Sequence, residues 1–220
     1  MTVKLYGFWR SLATYRVRAA LALKGIEVEQ ISIDLLQGKQ HAEDYKAINP
    51  QSVVPALAID GGPPLFQSMA ILEYLEETHP RPALLPKDPR GRARVRGLAQ
   101  IVVSDGHPLV VPRIRGYLER EMRQDEPARN AWLAHWTLEA LKALEAHLSK
   151  EGETGKFCHG DAPTIADVCL VSQVFGAKFF NVETTGLPTV MRIFGECMKI
   201  EAFDRSQPAK QPDAPKNPTH

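Results

Sequence analysis

The chain has 220 residues, 44% of them hydrophobic and 24% charged, with a formal net charge of +1. That length can bury a real core, as one large domain or two modest ones, and the near-neutral balance gives no electrostatic case for nucleic acid or an anionic membrane as a partner. There is no apolar run of the ~18 residues a membrane span needs, and Met1 leads into "VKLY" without a charged-then-apolar leader, so a cytoplasmic location is expected.

Val3 to Tyr6 reads as a short strand. Ser11 to Lys24 follows with apolar residues at helical spacing (Val17, Ala20, Leu21) and stops at Gly25, a usual helix end. "ISIDL" (Ile31 to Leu35) alternates apolar and polar residues, the pattern of a half-buried strand. A polar helix is expected over His41 to Ala47, ended by Asn49 and Pro50. "ALAID" (Ala56 to Asp60), the turn "DGGPP" and "LFQ" (Leu65 to Gln67) predict a β-hairpin. "SMAILEYLEETH" (Ser68 to His79) opens with a capping residue and sets Ile71, Leu72 and Leu75 on one helix face. The order β-α-β-α-β-β-α predicts a mixed sheet covered by helices, an α/β domain over 1–80.

From Pro80 the character changes. "PRPALLPKDPRG" is rich in proline and reads as a linker, taken as 81–89. No convincing strand follows, so 90–220 is expected to be all helical, with an extended tail. Arg90 to Arg123 reads as helix kinked near Pro108 and Pro112, and its basic start "RGRARVRG" as a solvated helix end. An amphipathic helix spans about Pro127 to Lys150. "PTIADVCLVSQVFGAKF" (Pro163 to Phe179) begins with Thr164 and Asp167 at capping-box spacing, and a last helix runs from Pro188 to Met198. The tail "QPAKQPDAPKNPTH" reads as extended and mobile. Cys158, Cys169 and Cys197 are odd in number and show no C-x-x-C spacing, which argues against a disulfide framework or a cysteine metal site. They are expected to be buried or incidental thiols, and no metal is expected.

This order, with "VVPAL" before the hairpin and "QSMAILEYLEE" after it, resembles the glutathione transferase superfamily, whose N-terminal half is a thioredoxin-like domain. Within it, "SLATYRVRAAL" resembles the zeta-class signature "S-S-C-x-x-R-V-R-I-A-L", the class of maleylacetoacetate and maleylpyruvate isomerases. Further matches are "ALKGI", "NPQSVVPAL", "EYLEETHPRPALLP", "HPL" at His107, "GDAPTIADVCLVSQV" and "QPDAP" near the end, so the likeness spans nearly the whole chain. It implies glutathione as cofactor, a small maleyl-type oxoacid or other electrophile as substrate, and a homodimer.

The residues suit that chemistry. Glutathione brings a thiol, carboxylates and peptide groups, so it needs a helix N-terminus, a backbone edge and a thiolate stabiliser. Gln67 and Ser68, at a strand-to-helix junction, match the turn that holds the γ-glutamyl carboxylate, although Ser68 would also serve as a plain cap. Pro55 sits where the family carries a cis-proline, which would turn the Val54 backbone toward the cysteinyl part. Gln40 and His41 lie where the family approaches the glycyl end. His107 resembles the family's Gln or His at the long-helix kink. Ser11 matches the serine that donates to the thiolate, but also reads as the cap of its helix, and Tyr6 at the end of the first strand is a rival donor. Arg10 is the candidate for a substrate carboxylate or developing enolate. Arg16 is read as a signature residue open to an ion-pair role, and Arg18 as facing solvent or a partner.

Three departures from the pattern stand out. Leu12 and Ala13 replace Ser and Cys, removing a thiol that could pair with glutathione. Val110 and Val111 replace polar residues after "HPL". Phe179 takes the place of an arginine, with Lys178 one residue earlier and so ~100° around a helix. The implied activity is isomerisation of a maleyl-oxoacid. The alternatives are conjugation of small electrophiles, or a binding protein with the transferase fold and no activity.

Overall fold

The computed structural model describes residues 2–216. They form two compact units: the chain up to Ala83 joined by the chain from Ile200 onward, and Leu84–Lys199. This differs from the expected single helical domain over 90–220, because the last stretch packs with the first unit.

In the first unit, β1 (Val3–Gly7) pairs in parallel with β2 (Glu29–Ser32) and antiparallel with β3 (Ala56–Ile59). β4 (Leu65–Phe66) pairs antiparallel with β3, giving the sheet order β2-β1-β3-β4. Helices α1 (Leu12–Leu23), α2 (Glu43–Ile48) and α3 (Ser68–Thr78) complete the expected β-α-β-α-β-β-α order. The second strand lies earlier than the expected Ile31 to Leu35. Its partner β1 ends at Gly7, opposite Ser32, and the Asp34 carboxylate then accepts from the N–H groups of Leu36 and Gln37, turning the chain away. One row of residues, Ile31, Tyr6, Ala56 and Phe66, crosses all four strands. The chain therefore leaves the sheet at one end after Gly7, before Ala56 and after Phe66.

Helix α1 ends where Gly25 adopts φ 66°, and the N–H groups of Gly25 and Ile26 return to the carbonyls of Ala22 and Leu21. It packs on α3 and on the short helix Glu201–Arg205, where the Tyr15 hydroxyl donates to the Phe203 carbonyl. With cover on several sides, its residues from Leu12 to Leu21 are all buried. Arg16 is 2% exposed and Arg18 5% exposed, so the expectation that Arg18 faces solvent or a partner is corrected. Its guanidinium instead donates to the Trp9 carbonyl at 3.1 Å.

In the second unit, α4 (Pro89–Gln100) starts at Asp88, whose carboxylate accepts from the Gly91 N–H. The basic start is less solvated than expected, because Arg94 bonds Glu151, Thr154 and the Cys158 carbonyl. The expected kink is a longer break. A π-helical turn (Ile101–Gly106) and a 3₁₀ turn (His107–Leu109) precede α5 (Pro112–Arg120). Gly106 belongs to this break, since a β-carbon there would lie 2.5 Å from that of Ala140. Ala140 lies in α6 (Glu126–Leu148), and α7 (Ile165–Phe179) packs against α4, α6 and α8 (Pro188–Met198). The capping box forms at α7. Buried Asp167 accepts from the N–H groups of Cys158 and Thr164 and from the Thr164 hydroxyl, at 2.7–2.8 Å. Burial still lifts its carboxyl above the usual range.

The chain then returns to the first unit as α9 (Glu201–Arg205) and a 3₁₀ turn (Pro208–Lys210). The tail expected to be extended and mobile is tied down as far as Ala214. The Gln211 amide donates to the carbonyls of Arg205 and Gln207 and accepts from the Gln30 amide. Residues 217–220 of that tail lie outside the described residues. Among the described residues no helix is long and apolar enough to cross a membrane.

The end of α1 is tied to α3 by a buried ion pair. Lys24 Nζ lies 2.8 Å from Glu76 and also donates to the carbonyls of His79 and Pro82. Removing one member of such a pair strands the other's charge away from water. Lys24→Met is expected to lower the urea unfolding free energy by about 3 kcal/mol. Adding Glu76→Leu should recover part of that loss, and a double variant no more stable than Lys24→Met would show that the loss does not come from the Glu76 charge.

Candidate functional site

Several polar atoms of the loop between β1 and α1 are hydrogen-bonded. The Ser11 N–H donates to the Phe8 carbonyl at 3.0 Å, and the Ser11 carbonyl accepts from the Tyr15 N–H at 2.9 Å. Ser11 occupies the cap position, with its Oγ accepting from the Thr14 N–H at 3.1 Å. That bond uses a lone pair, so the hydroxyl proton remains available for an acceptor in front of the helix. There is no acidic residue in the first turn, and the positive end of the helix is not neutralised locally.

Phe8 and Trp9 are buried and form a cluster with Tyr45 and Val54, against which Tyr6 packs. The Tyr6 and Tyr45 ring centroids are 6.3 Å apart. Tyr6, the rival donor, thus belongs to an apolar cluster, whereas Ser11 stands at the helix end. Arg10 is half-buried, and burial lowers the pKa of its guanidinium from the ordinary value.

The Val54–Pro55 peptide is cis, as the sequence led us to expect. The preceding Val53 carbonyl accepts two hydrogen bonds, from the Tyr45 hydroxyl at 2.7 Å and the Asn49 amide at 2.8 Å. Sequence reasoning missed this support: Asn49 had been read only as a helix stop. Immediately beyond Pro55, Ala56 pairs with both Tyr6 and Phe66.

Gln67 and Ser68 follow Phe66 at the start of α3. Ser68 is not the cap, as had been expected. Gln67 holds that position at φ 65° and makes no side-chain capping bond, its amide instead reaching Gln51 at 2.9 Å. Ser68 is the first residue of the helix, 4% exposed, and its Oγ accepts from Arg16 Nε at 3.1 Å. Arg16 was the missed partner; its place in the signature was the available signal. The first N–H groups of α3 therefore have no side-chain cap, which leaves them suited to an anion.

Gln40 and His41 lie in a 3₁₀ turn (Lys39–His41), with the Gln40 amide 3.3 Å from His41 Nε2. Gln40 Oε1 is buried without a hydrogen-bond partner among the described residues. The sheet register thus brings the Ser11 loop, Val54–Pro55 and Gln67–Ser68 to one end of the first unit. His107 lies in the second unit, where it opens the 3₁₀ turn after the π-helical segment. The protein's own thiols are unsuited to nucleophilic work: all three cysteines are buried, and burial pushes the thiols of Cys158 and Cys197 up.

Comparison with known proteins follows this geometry. Residues 1–77 match the family model of the glutathione S-transferase N-terminal domain. Maleylpyruvate isomerase of Ralstonia sp. is 44% identical over 212 residues, covering 96% of this chain and all of that protein. Maleylacetoacetate isomerase of Pseudomonas aeruginosa is 42% identical, over 97% of this chain and 99% of its own. Among solved structures, maleyl pyruvate isomerase, described as a bacterial glutathione-S-transferase in the zeta class, superposes with a TM-score of 0.94 at 44% identity, over 96% of this chain and 100% of that one. Maleylacetoacetate isomerase from Methylobacterium extorquens AM1, with bound malonate and GSH, gives 0.95 at 49% identity, over 96% and 99% of the two chains. The chain belongs to the zeta class of the glutathione transferases.

Burial pushes the Tyr45 hydroxyl from 10.0 up to about 12, opposed by its hydrogen bond with Asn49 and reinforced by Tyr6. A raised pKa means that the folded state holds this proton more tightly than the unfolded chain. The corresponding stability is complete below pH 10 and is lost as pH climbs toward 12. The difference in urea stability between wild type and Tyr45→Phe is therefore expected to shrink by about 2–3 kcal/mol across that range. A difference independent of pH would mean that Tyr45 titrates as it does in the unfolded chain.

Proposed function

We propose that this protein catalyses the glutathione-dependent cis–trans isomerisation of a maleyl-oxoacid, maleylpyruvate or maleylacetoacetate. The observation that carries the reading is Ser11: its Oγ caps α1 as an acceptor and so keeps a proton to donate, at a helix end with no acid in its first turn. The likeness to isomerases over nearly the full chain supports the same reaction.

When bound, glutathione supplies a thiolate that adds reversibly to the cis double bond and leaves once the single bond has rotated, so it is regenerated. The residues of this chain fit that ligand. The uncapped start of α3, with Ser68 and Gln67, would hold the γ-glutamyl carboxylate. The Val54 backbone beside cis Pro55 would pair with the cysteinyl peptide groups, and the unpartnered Gln40 Oε1, with His41, would meet the glycyl end. Ser11 would donate a hydrogen bond from its hydroxyl to the thiolate, keeping its own proton. Arg10 would hold a substrate carboxylate and stabilise charge developing on the oxoacid. The same reading takes the protein as a cytoplasmic homodimer.

A second reading, conjugation of small electrophiles through the same thiolate, is favoured by Phe179. It stands where the resemblance expects an arginine, and neighbouring Lys178 does not replace that charge. The Lys178 ammonium lies 4.4 Å from the Phe194 ring centroid and 5.7 Å from that of Phe175. Burial also lowers its pKa.

An absorbance assay on maleylpyruvate and maleylacetoacetate, with and without glutathione, tests the reading. Turnover of at least one substrate that depends on glutathione is expected. Absence of turnover on both, with stable thioethers formed from small electrophiles, would establish the second reading. Ser11→Ala is expected to lower kcat/KM about a hundredfold. Full activity in that variant would transfer the donor role to Tyr6.

Ser68→Ala should mainly weaken glutathione binding. A lost hydrogen bond to a carboxylate, worth about 1.5–3 kcal/mol, would raise KM for glutathione at least tenfold and change kcat little. An unchanged KM would assign Ser68 to holding Arg16 alone.

A further inference from the structure

The loop that carries Ser11 is gripped by the chain's own C-terminal segment. Two residues before Ser11, both polar backbone atoms of Trp9 are engaged. Its N–H donates to Asp213 Oδ2 at 3.0 Å, and its carbonyl accepts from Arg18 Nη2 at 3.1 Å. Asp213 Oδ2 also accepts from Ser32 Oγ at 2.7 Å, adding the end of β2 to the same anchor. Arg18, Ser32 and Asp213 line a cavity of about 70 Å³ together with Phe8 and Pro212.

The anchor is itself held. Gln211 bonds Gln30, Arg205 and Gln207, and the Ala214 N–H donates to the Gln211 carbonyl. Ala214 packs on the cluster of Phe8, Trp9, Tyr45 and Val54. Arg18 is nearly enclosed. Burial takes its pKa down to about 10, with the Asp213 charge opposing that fall. Asp213 therefore supplies a charged acceptor to a backbone N–H, a stronger tie than a neutral one. It also gives Arg18 a nearby countercharge.

We propose that Asp213 is a positioning residue for the thiolate site: by fixing Trp9 it sets where the Ser11 hydroxyl stands at the start of α1. Gly7 is fixed by the sheet and Thr14 by the helix, while Trp9 between them is held through Asp213 and Arg18, and the Ser11 N–H hangs on the carbonyl of neighbouring Phe8. Releasing the Trp9 N–H lets the loop shift by a fraction of an ångström, which is sufficient to weaken a hydrogen bond to sulfur. The inference rests on the reading of Ser11 as thiolate donor.

The test compares Asp213→Ala, Asp213→Asn and Ser11→Ala by the pKa of bound glutathione, read from the ultraviolet absorbance of its thiolate, alongside kcat, KM and urea midpoints. Asp213→Ala is expected to raise the bound thiol pKa and lower kcat about tenfold, with KM for glutathione changed less than twofold. Asp213→Asn, which keeps an acceptor oxygen and loses the charge, should fall between wild type and Ala. A lower urea midpoint with an unchanged thiol pKa would make Asp213 merely structural and overturn the proposal. If Asp213→Ala does not fold, Asp213→Asn decides, and a wild-type thiol pKa there overturns it equally. Should Ser11→Ala leave the thiol pKa unmoved, the reading of Ser11 falls first and this inference with it. A shift in Ser11→Ala without one in Asp213→Ala sinks the Asp213 proposal alone.

Discussion

Helix α1 packs against α3 and the returning C-terminal chain, and two of its buried residues are arginines. A guanidinium cannot be left uncompensated in such a place, so each must reach a polar group, and those groups belong to the site. Arg16 and Arg18 are separated by about 200° around the helix. Arg16 reaches Ser68 at the start of α3, and Arg18 reaches the carbonyl of Trp9 in the loop before Ser11. The desolvation that makes the arginines costly to bury also makes their partners' positions well defined. A single helix thereby locks two loops that the sheet register has already brought to one end.

The order of the elements that carry that register was legible in the sequence. The period-two run from Ile31 to Leu35 marked the second strand, which lies slightly earlier, and the turn residues between Asp60 and Pro64 marked the hairpin, because these signals are local. The capping box of Thr164 and Asp167 was legible because a short motif contains the physics that produces it, whereas the cis Val54–Pro55 bond was legible only through the resemblance to the family. The misses share a different cause. Arg18 reads as a residue facing solvent or a partner until Asp213 arrives from the far end of the chain. The tail reads as mobile until Gln211 finds Gln30. Ser68 reads as a cap because the sequence does not show that Gln67 takes a positive φ and that Arg16 lies beneath the hydroxyl. In each case the deciding partner is distant in sequence, where no pattern of spacing reaches.

The departures from the zeta signature separate into two physical groups. Val110 is buried in the helical unit, so its apolar character is spent on packing there. Phe179 and Lys178 change charge rather than packing. An arginine offers a planar fork for a carboxylate, whereas a lysine ammonium over two phenylalanine rings is already engaged by their faces. In the proposed reaction Arg10 would then carry a larger share of the recognition of an anionic substrate. It is half-buried and lies one residue from Ser11, so it can sense charge that develops beside the thiolate.

Ser11 brings the argument back to a distinction between a lone pair and a proton. As a cap, the serine satisfies the Thr14 N–H by accepting, which leaves the hydroxyl proton unspent. A thiol with an ordinary pKa near 8.5 needs roughly 2.7 kcal/mol of extra thiolate stabilisation to titrate two units lower. A hydrogen bond to a charged acceptor contributes about 1.5–3 kcal/mol, and a helix N-terminus about 0.3–1 kcal/mol more. Those two sources cover the requirement only if neither is diluted. An acid in the first turn would neutralise the helix end, and a cysteine at position 13 would compete for the same donor. The sequence places Ala13 there and no acid in that turn, so in the proposed reaction the proton and the dipole of α1 would both be available to the thiol of bound glutathione.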